Sequence, residues 1–478
     1  MKGWQLSAIV KGMNRIALPT VESSRRPGSG IDYELFLDCV HCGLCTSACP
    51  TYLELGTEMD SPRGRIYLMR GVVDGRIALD AEVRRHLDLC LDCRACESAC
   101  PSGVKYGHLI EPFRVDMQRL TKGSTGEKAS ASRLPWWLRM LLFQVFPHRN
   151  RASLALAPAR AMQRLGLDRL LQRSGILRML PSRLREMLEM LPSLPRHRGR
   201  LPEIFPPVGP KRARVALFTG CVNDVLFGDV NWATARVLQL NGCEVVVPRN
   251  QVCCGALHYH AGLDQPAVAF ARKNLSVFLD DLGHLDAVVV NVAGCGSMLK
   301  DYKHLFSQAG NASSLQNGSG DEEQKAARFT SKVRDIHEFL IELGPVEPRR
   351  PIPLTATYHD ACHLCHAQKI RSQPRDLLGR VPGLRLVPLA ESEVCCGAAG
   401  SYNLTQPEMA ERLGRRKAAR ILETGAGAVL TANAGCLLQI RKHLRHEGAN
   451  MAVLHPVEVL WWSYEGDPSR NPPWHGNL

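Results

Sequence analysis

The chain has 478 residues, 45% of them hydrophobic, enough for about three domains with cores of their own. Its net charge of +14 looks like a nucleic-acid footprint, but the excess sits in residues 121–214, where 19 Lys/Arg face 5 Asp/Glu. No recognition module of groove-sized geometry accompanies it, so nucleic acid is not expected as a partner. Eighteen cysteines with no secretory signal ahead of them, grouped as C-x2-C and Cys-Cys-Gly, point to metal binding in a reducing compartment, the cytoplasm.

Residues 1–30 read as an unpatterned extension without a targeting role. From 31 to 120 the reading is an all-α dicluster ferredoxin domain. Cys39, Cys42, Cys45 and Cys49 precede Pro50, and Cys90, Cys93, Cys96 and Cys100 precede Pro101. Each run is the C-x2-C-x2-C-x3-C-P spacing of four-iron clusters. Three thiolates on one tight turn hold three corners of a cubane, while the fourth lies too far round and serves the other cluster. Cys39, Cys42 and Cys45 are therefore grouped with Cys100, and Cys90, Cys93 and Cys96 with Cys49, giving two 4Fe-4S clusters. Zinc, the competing metal, favours two separated C-x2-C knuckles. Val83, Leu87 and Leu91 recur at helical spacing before the second motif. Arg63 and Arg65 follow the first motif, where guanidinium groups would raise the potential of an anionic cluster or dock a partner.

Residues 121–214 are expected to form a basic helical connector punctuated by prolines. Its clearest helix lies between Pro181 and Pro192, with Leu184, Met187, Leu188 and Leu191 on one face. The apolar run Trp136 to Phe146 is too short to span a bilayer. Two readings stay open: basic helices lying on an anionic membrane surface, and helices packed against another subunit or the domains they join.

Residues 215–345 and 350–465 are read as two copies of one α/β domain with a parallel sheet. Cys221, the pair Cys253 and Cys254, and Cys295 recur as Cys362, the pair Cys395 and Cys396, and Cys436, at offsets of 141 or 142 residues. Strand-like runs at 215–219, 287–290, 355–358 and 428–431 end just before a cysteine, with helical patterns at 233–240 and 408–422 between them. The Asn/Ser/Gly-rich stretch 309–325 reads as a flexible surface loop. Four convergent thiols in each half suffice for a further iron-sulfur cluster; reactive thiols and simple burial are the alternatives. Gly255 and Gly397 are expected to let the backbone turn closely around a bulky ligand. Cys243 has no counterpart and is assigned to the core; Cys365, between His363 and His366, only imitates a zinc site. His258, His260 and His359 are candidates for tuning a potential or moving protons. No dinucleotide fingerprint, P-loop or nucleophile elbow occurs, so no catalytic residue and no flavin or nucleotide site is assigned. Substrate oxidation would then fall to a partner.

This order of domains, with the stretches Pro50-Thr51-Tyr52, Ser61 to Leu68, Pro101 to Val104 and both Cys-Cys-Gly motifs, resembles the iron-sulfur subunits of bacterial glycolate oxidases. The resemblance implies flavin-containing partner subunits that oxidise glycolate to glyoxylate, with electrons moving on to the quinone pool, and a place peripheral to the cytoplasmic membrane. The Cys-Cys-Gly halves are also similar to heterodisulfide reductase, whose extra cysteine is replaced here by Val292 and Asn433. Related subunits serve lactate and glycerol-3-phosphate dehydrogenases. A thiol/disulfide oxidoreductase and a binding scaffold are the competing functions.

Overall fold

A computed structural model describes residues 26–121, 134–167, 182–194, 200–280, 284–312 and 319–465. Most of the N-terminal extension therefore lies outside the described residues. The first domain is helical. Ser61 accepts from Gly64 N at the start of helix Pro62–Val73, with Pro62 in the first turn, and Asp80 accepts from Val83 N to start Ala81–Asp88. Their apolar faces, Ile66, Met69, Val72, Val83 and Leu87, close on Leu109, Ile110 and Phe113 from helix Gly107–Thr121. Leu91 is buried just past the end of its predicted helix.

The connector packs onto the domains it joins. Helix Trp136–Met140 runs into a wider turn, Leu141–Val145, and buries Leu138, Leu142 and Phe143 with Leu404 of the second repeat and Ala261 and Leu263 of the first. The predicted helix before Pro192 is Ser182–Met190, and its Met187 and Met190 join the same cluster. The end of the connector is not helical: strand β1 (Ile204–Phe205) pairs antiparallel with β3 (Cys243–Val246), because Phe205 buries against the first sheet. Among the described residues no helix is long and apolar enough to cross a membrane.

The repeats hold two sheets of matching order. In the first, β2 (Ala213–Phe218) pairs in parallel with β3 and β4 (Ala287–Val290), and β4 with β5 (Val333–Asp335). In the second, β6 (Leu354–Tyr358) lies between β7 (Leu384–Val387) and β8 (Ala428–Leu430), and β8 pairs with β9 (Ala452–Leu454), all parallel. Apart from β1 the strand orders are 3-2-4-5 and 7-6-8-9. The connections are helical, as parallel pairing requires. The region expected to be a loop is mostly helix, Tyr302–Ala312 and Ser319–Lys332; residues 313–318 lie outside the described set. Asp321 and Glu322 favour the second helix start, and Ala326 and Phe329 bury its inner face.

The repeats share one core, which runs from Val215, Leu217 and Val237 to Val429, Leu437 and Leu460. Their contacts are reciprocal. Helix Gly228–Leu240 of the first packs on Pro456–Glu465 of the second, and the corresponding helix of the second, Gln373–Leu378, packs on Ile336–Leu343 of the first. This is the pattern of a two-fold, self-complementary interface.

Candidate iron-sulfur sites

Each ferredoxin motif is a tight loop bent by left-handed residues at the same two places. His41 and Gly43 have φ of 55° and 85°, and Asp92 and Arg94 have 54° and 61°. Arg94 holds this sparsely populated conformation through its side chain, which pairs with Asp92 at 2.7 Å and Glu111 at 2.9 Å. Cys49 and Cys100 take the extended backbone that a following proline imposes, with ψ of 116° at both. Each comes near the thiols of the other loop, Cys100 beside Cys39 and Cys49 beside Cys93 and Cys96. Burial raises the Cys39 pKa and Cys100 and Cys42 add to it; burial raises Cys96, with Cys93, Cys90 and Cys49 adding. Burial likewise pushes Cys45 up to about 11, and there Cys39 and Cys49 both contribute. Metal binding at such thiols must displace protons.

The two loops differ in exposure. Cys42 is exposed, whereas Cys49, Cys90 and Cys93 are buried. Arg65, only 1% exposed, sits beside the inner group. Its Nη1 lies 3.9 Å from Cys49 Sγ and 2.9 Å from Thr51 Oγ1, its Nε donates to His86 O, and its Nη2 reaches Asp60. Burial opposes its charge, but Cys90, Tyr106, Cys49 and Asp60 outweigh that and raise its pKa. Arg63 belongs to the outer loop, donating to His41 O and pairing with Glu58.

Beyond the inner loop lies a cavity of about 230 Å³ between the repeats. All eight cysteines expected there come from loops or helix starts beyond strand ends, and all eight line it: Cys221, Cys253, Cys254 and Cys295 from the first repeat, Cys362, Cys395, Cys396 and Cys436 from the second. Cys221 Sγ is 3.4 Å from Cys253 Sγ, and Cys362 Sγ is 4.0 Å from Cys395 Sγ. Cys90 of the inner loop reaches the same cavity, and Cys93 packs with Cys362 and Cys395. The donors fit iron-sulfur chemistry, since four convergent thiols face one another in each repeat.

Side chains under the Cys-Cys turns hold them in place. Asn274 accepts from Val252 N at 3.0 Å and donates to Cys253 O at 3.0 Å; Tyr302 Oη donates to Cys254 O at 2.9 Å. In the second repeat Lys417 Nζ donates to Glu391 O. Gly255 and Gly397 do adopt positive φ, 91° and 85°, but they face protein. A Cβ would lie 3.2 Å from the Ala267 backbone at one and 2.8 Å from Ala410 O at the other. Their role is to seat the turns on helices Asp264–Leu275 and Pro407–Glu423.

Other sequence candidates fall elsewhere. Cys243 is buried in β3, and Cys365 donates to Cys362 O away from the cavity. His258 is committed to the connector through Phe143 O at 3.2 Å. His260 lines the cavity and lies 2.9 Å from Glu111 and 3.3 Å from Asp92. Burial disfavours its charge, but the carboxylates of Asp92 and Glu111 outweigh that and raise its pKa to about 9. Asp92, Arg94 and Glu111 escaped the sequence reading. Their only signal is adjacency to the second motif, and Glu111 reaches it only through the fold. Asn433 donates to Cys436 Sγ at 3.4 Å and accepts from Gly294 N at 3.3 Å, bridging the repeats.

Comparison with known proteins follows the same division. Residues 36–104 match the model of a 4Fe-4S dicluster domain, and residues 215–300 and 356–441 each match a cysteine-rich domain. Residues 135–191 match the linker region of the glycolate oxidase iron-sulfur subunit. The chain is 39% identical to the probable glycolate oxidase iron-sulfur subunit of Bacillus subtilis, over 89% of this chain and 93% of that one. It is 33% identical to the glycolate oxidase iron-sulfur subunit of Escherichia coli, over 88% and 92%. Lactate utilization protein A of Oceanobacillus iheyensis is 32% identical over 53% of this chain and 98% of its own length. The chain belongs to the family of glycolate oxidase iron-sulfur subunits, and is an iron-sulfur electron-transfer component of an oxidoreductase complex.

Proposed function

We propose that this chain takes electrons from flavin-containing partner subunits that oxidise glycolate to glyoxylate and delivers them toward quinone at the cytoplasmic face of the membrane. Cys39, Cys42, Cys45 and Cys100 would hold one 4Fe-4S cluster, and Cys49, Cys90, Cys93 and Cys96 the second. Further iron-sulfur would be held by the four paired cysteines of each repeat. Such clusters, when bound, supply one-electron transfer. The observation that carries the reading is the order of the thiol groups: an exposed loop at Cys42, a buried one at Cys93, then the cavity that Cys362 and Cys395 share. Val40 and Leu44, exposed on the outer loop, suit a partner's apolar surface.

The test is reconstitution with the flavin subunits under anaerobic conditions. Glycolate should then reduce a quinone, and a Cys42→Ser chain should not support it. Reduction by lactate but not glycolate would move the substrate assignment to the lactate-utilising relatives. Iron analysis of the isolated chain sets cluster number: about eight irons mean that two four-iron clusters are filled, and twelve or more put a cluster in a repeat. One observation favours a second reading. Eight cysteines around a single cavity suit thiol/disulfide exchange, and reduction of an organic disulfide by the isolated chain with an artificial donor would establish it.

A further inference from the structure

The two repeats differ beside their thiols. The second carries His359 just past β6, and the 141-residue offset puts Phe218, the last residue of β2, in that place in the first. Phe218 is packed into the core against Phe278. His359 is completely buried, and one of its ring nitrogens, Cys396 Sγ and Cys436 Sγ all lie within 4.8 Å of one another. Nδ1 is 2.9 Å from the Ser392 carbonyl oxygen, so it carries the proton and donates there. Nε2 is left with its lone pair; among the described residues no nitrogen or oxygen satisfies it, and the polar groups beside it are the Cys396 and Cys436 thiols. A buried acceptor placed among thiols calls for an explanation. An imidazole whose far nitrogen is anchored to a carbonyl is the arrangement of a metal-ligating histidine.

The neighbouring polar groups do not compete for this role. Asn433 spends its amide on Cys436 and Gly294. His363 turns Nδ1 toward Cys362 Sγ, 3.5 Å away, and does not join the group that His359 forms with Cys396 and Cys436.

We propose that His359 Nε2 is a ligand of the iron-sulfur cluster in the second repeat, which would then have one nitrogen donor among its thiolates, whereas the first repeat holds iron through thiolates alone. This rests on the reading that the repeats hold clusters. The consequence is an asymmetric pair of sites. A neutral imidazole adds a donor without adding negative charge, so a thiolate put in its place would make the cluster more anionic and lower its potential.

The test uses the full-length chain purified without air after growth on 15N-histidine, followed by pulsed EPR through a redox titration. A strongly coupled nitrogen is expected, lost in His359→Cys and retained in His363→Ala. His359→Cys keeps a donor at that place, so its iron content should stay at the wild-type value while its midpoint potential falls. A coupled nitrogen that survives in His359→Cys overturns the assignment, as does the absence of any coupled nitrogen in the wild type. Cys396→Ser separates the two levels. Loss of iron there without any nitrogen coupling in the wild type defeats His359 alone, and unchanged iron defeats the cluster reading beneath it.

Discussion

Arg65 shows how one side chain serves both fold and redox chemistry. Its guanidinium answers the buried Asp60 and stands 3.9 Å from Cys49 Sγ. Arg65→Met should destabilise the domain by about 3 kcal/mol, because the buried Asp60 loses its guanidinium partner and keeps His86, and should lower the potential of the inner cluster. A redox titration giving the wild-type midpoint would remove the electrostatic role. The sequence placed Arg63 and Arg65 near a cluster but could not separate them, since only the fold sends one outward and the other under the second motif. His260 gives a pH signature. Asp92 and Glu111 face it directly, Arg94 lies behind them, and the His363 ring is 5.5 Å away. Its pKa is raised to about 9 in the folded chain, so its stabilisation is complete below the unfolded value near 6.5 and disappears as pH climbs through 9. Urea midpoints should fall across that window in the wild type and fall less in His260→Gln.

At the scale of elements, the Cys-Cys-Gly turn is the most constrained piece. Gly397 combines φ of 85° with a backbone oxygen 2.8 Å from any Cβ. Gly397→Ala should cost about 2 kcal/mol in denaturant unfolding, and a cost near zero would mean that the turn yields. Glycine after a cysteine pair was visible in the sequence; that it abuts a helix and not a ligand was not, because Ala410 comes from a separate segment. Strands β2, β4, β6 and β8 were legible to within two residues, since buried parallel strands are short, mostly apolar runs. Helix Ser319–Lys332 was hidden by Gly, Ser and acidic residues at its start, which resemble loop composition although acidic side chains favour that end. In the connector, Leu138 and Phe143 are buried against the domains it joins, while Trp136 stays 76% and Leu154 77% exposed.

Across the whole molecule the connector's outward face is where charge and apolar surface coincide. Trp136, Met140, Leu154 and Leu165 are exposed among the described residues, as are Arg139, Arg151 and Arg164 of the same segment. Such a face should bind anionic lipid. Trp136→Ser combined with Leu154→Ser is expected to lower co-sedimentation with phosphatidylserine vesicles several-fold and to leave neutral vesicles unaffected; equal sedimentation of both chains would leave the face to a protein. The repeat itself was legible from four cysteine landmarks. The cavity was not, because it is built by reciprocal helix contacts whose apolar faces carry no mark of their partner. That reciprocity has a historical consequence. A single-repeat ancestor pairing with an identical copy would have enclosed the same chamber between two equal walls. With both halves on one chain each wall is free to differ, and Phe218 in the place of His359 is one position at which the walls do.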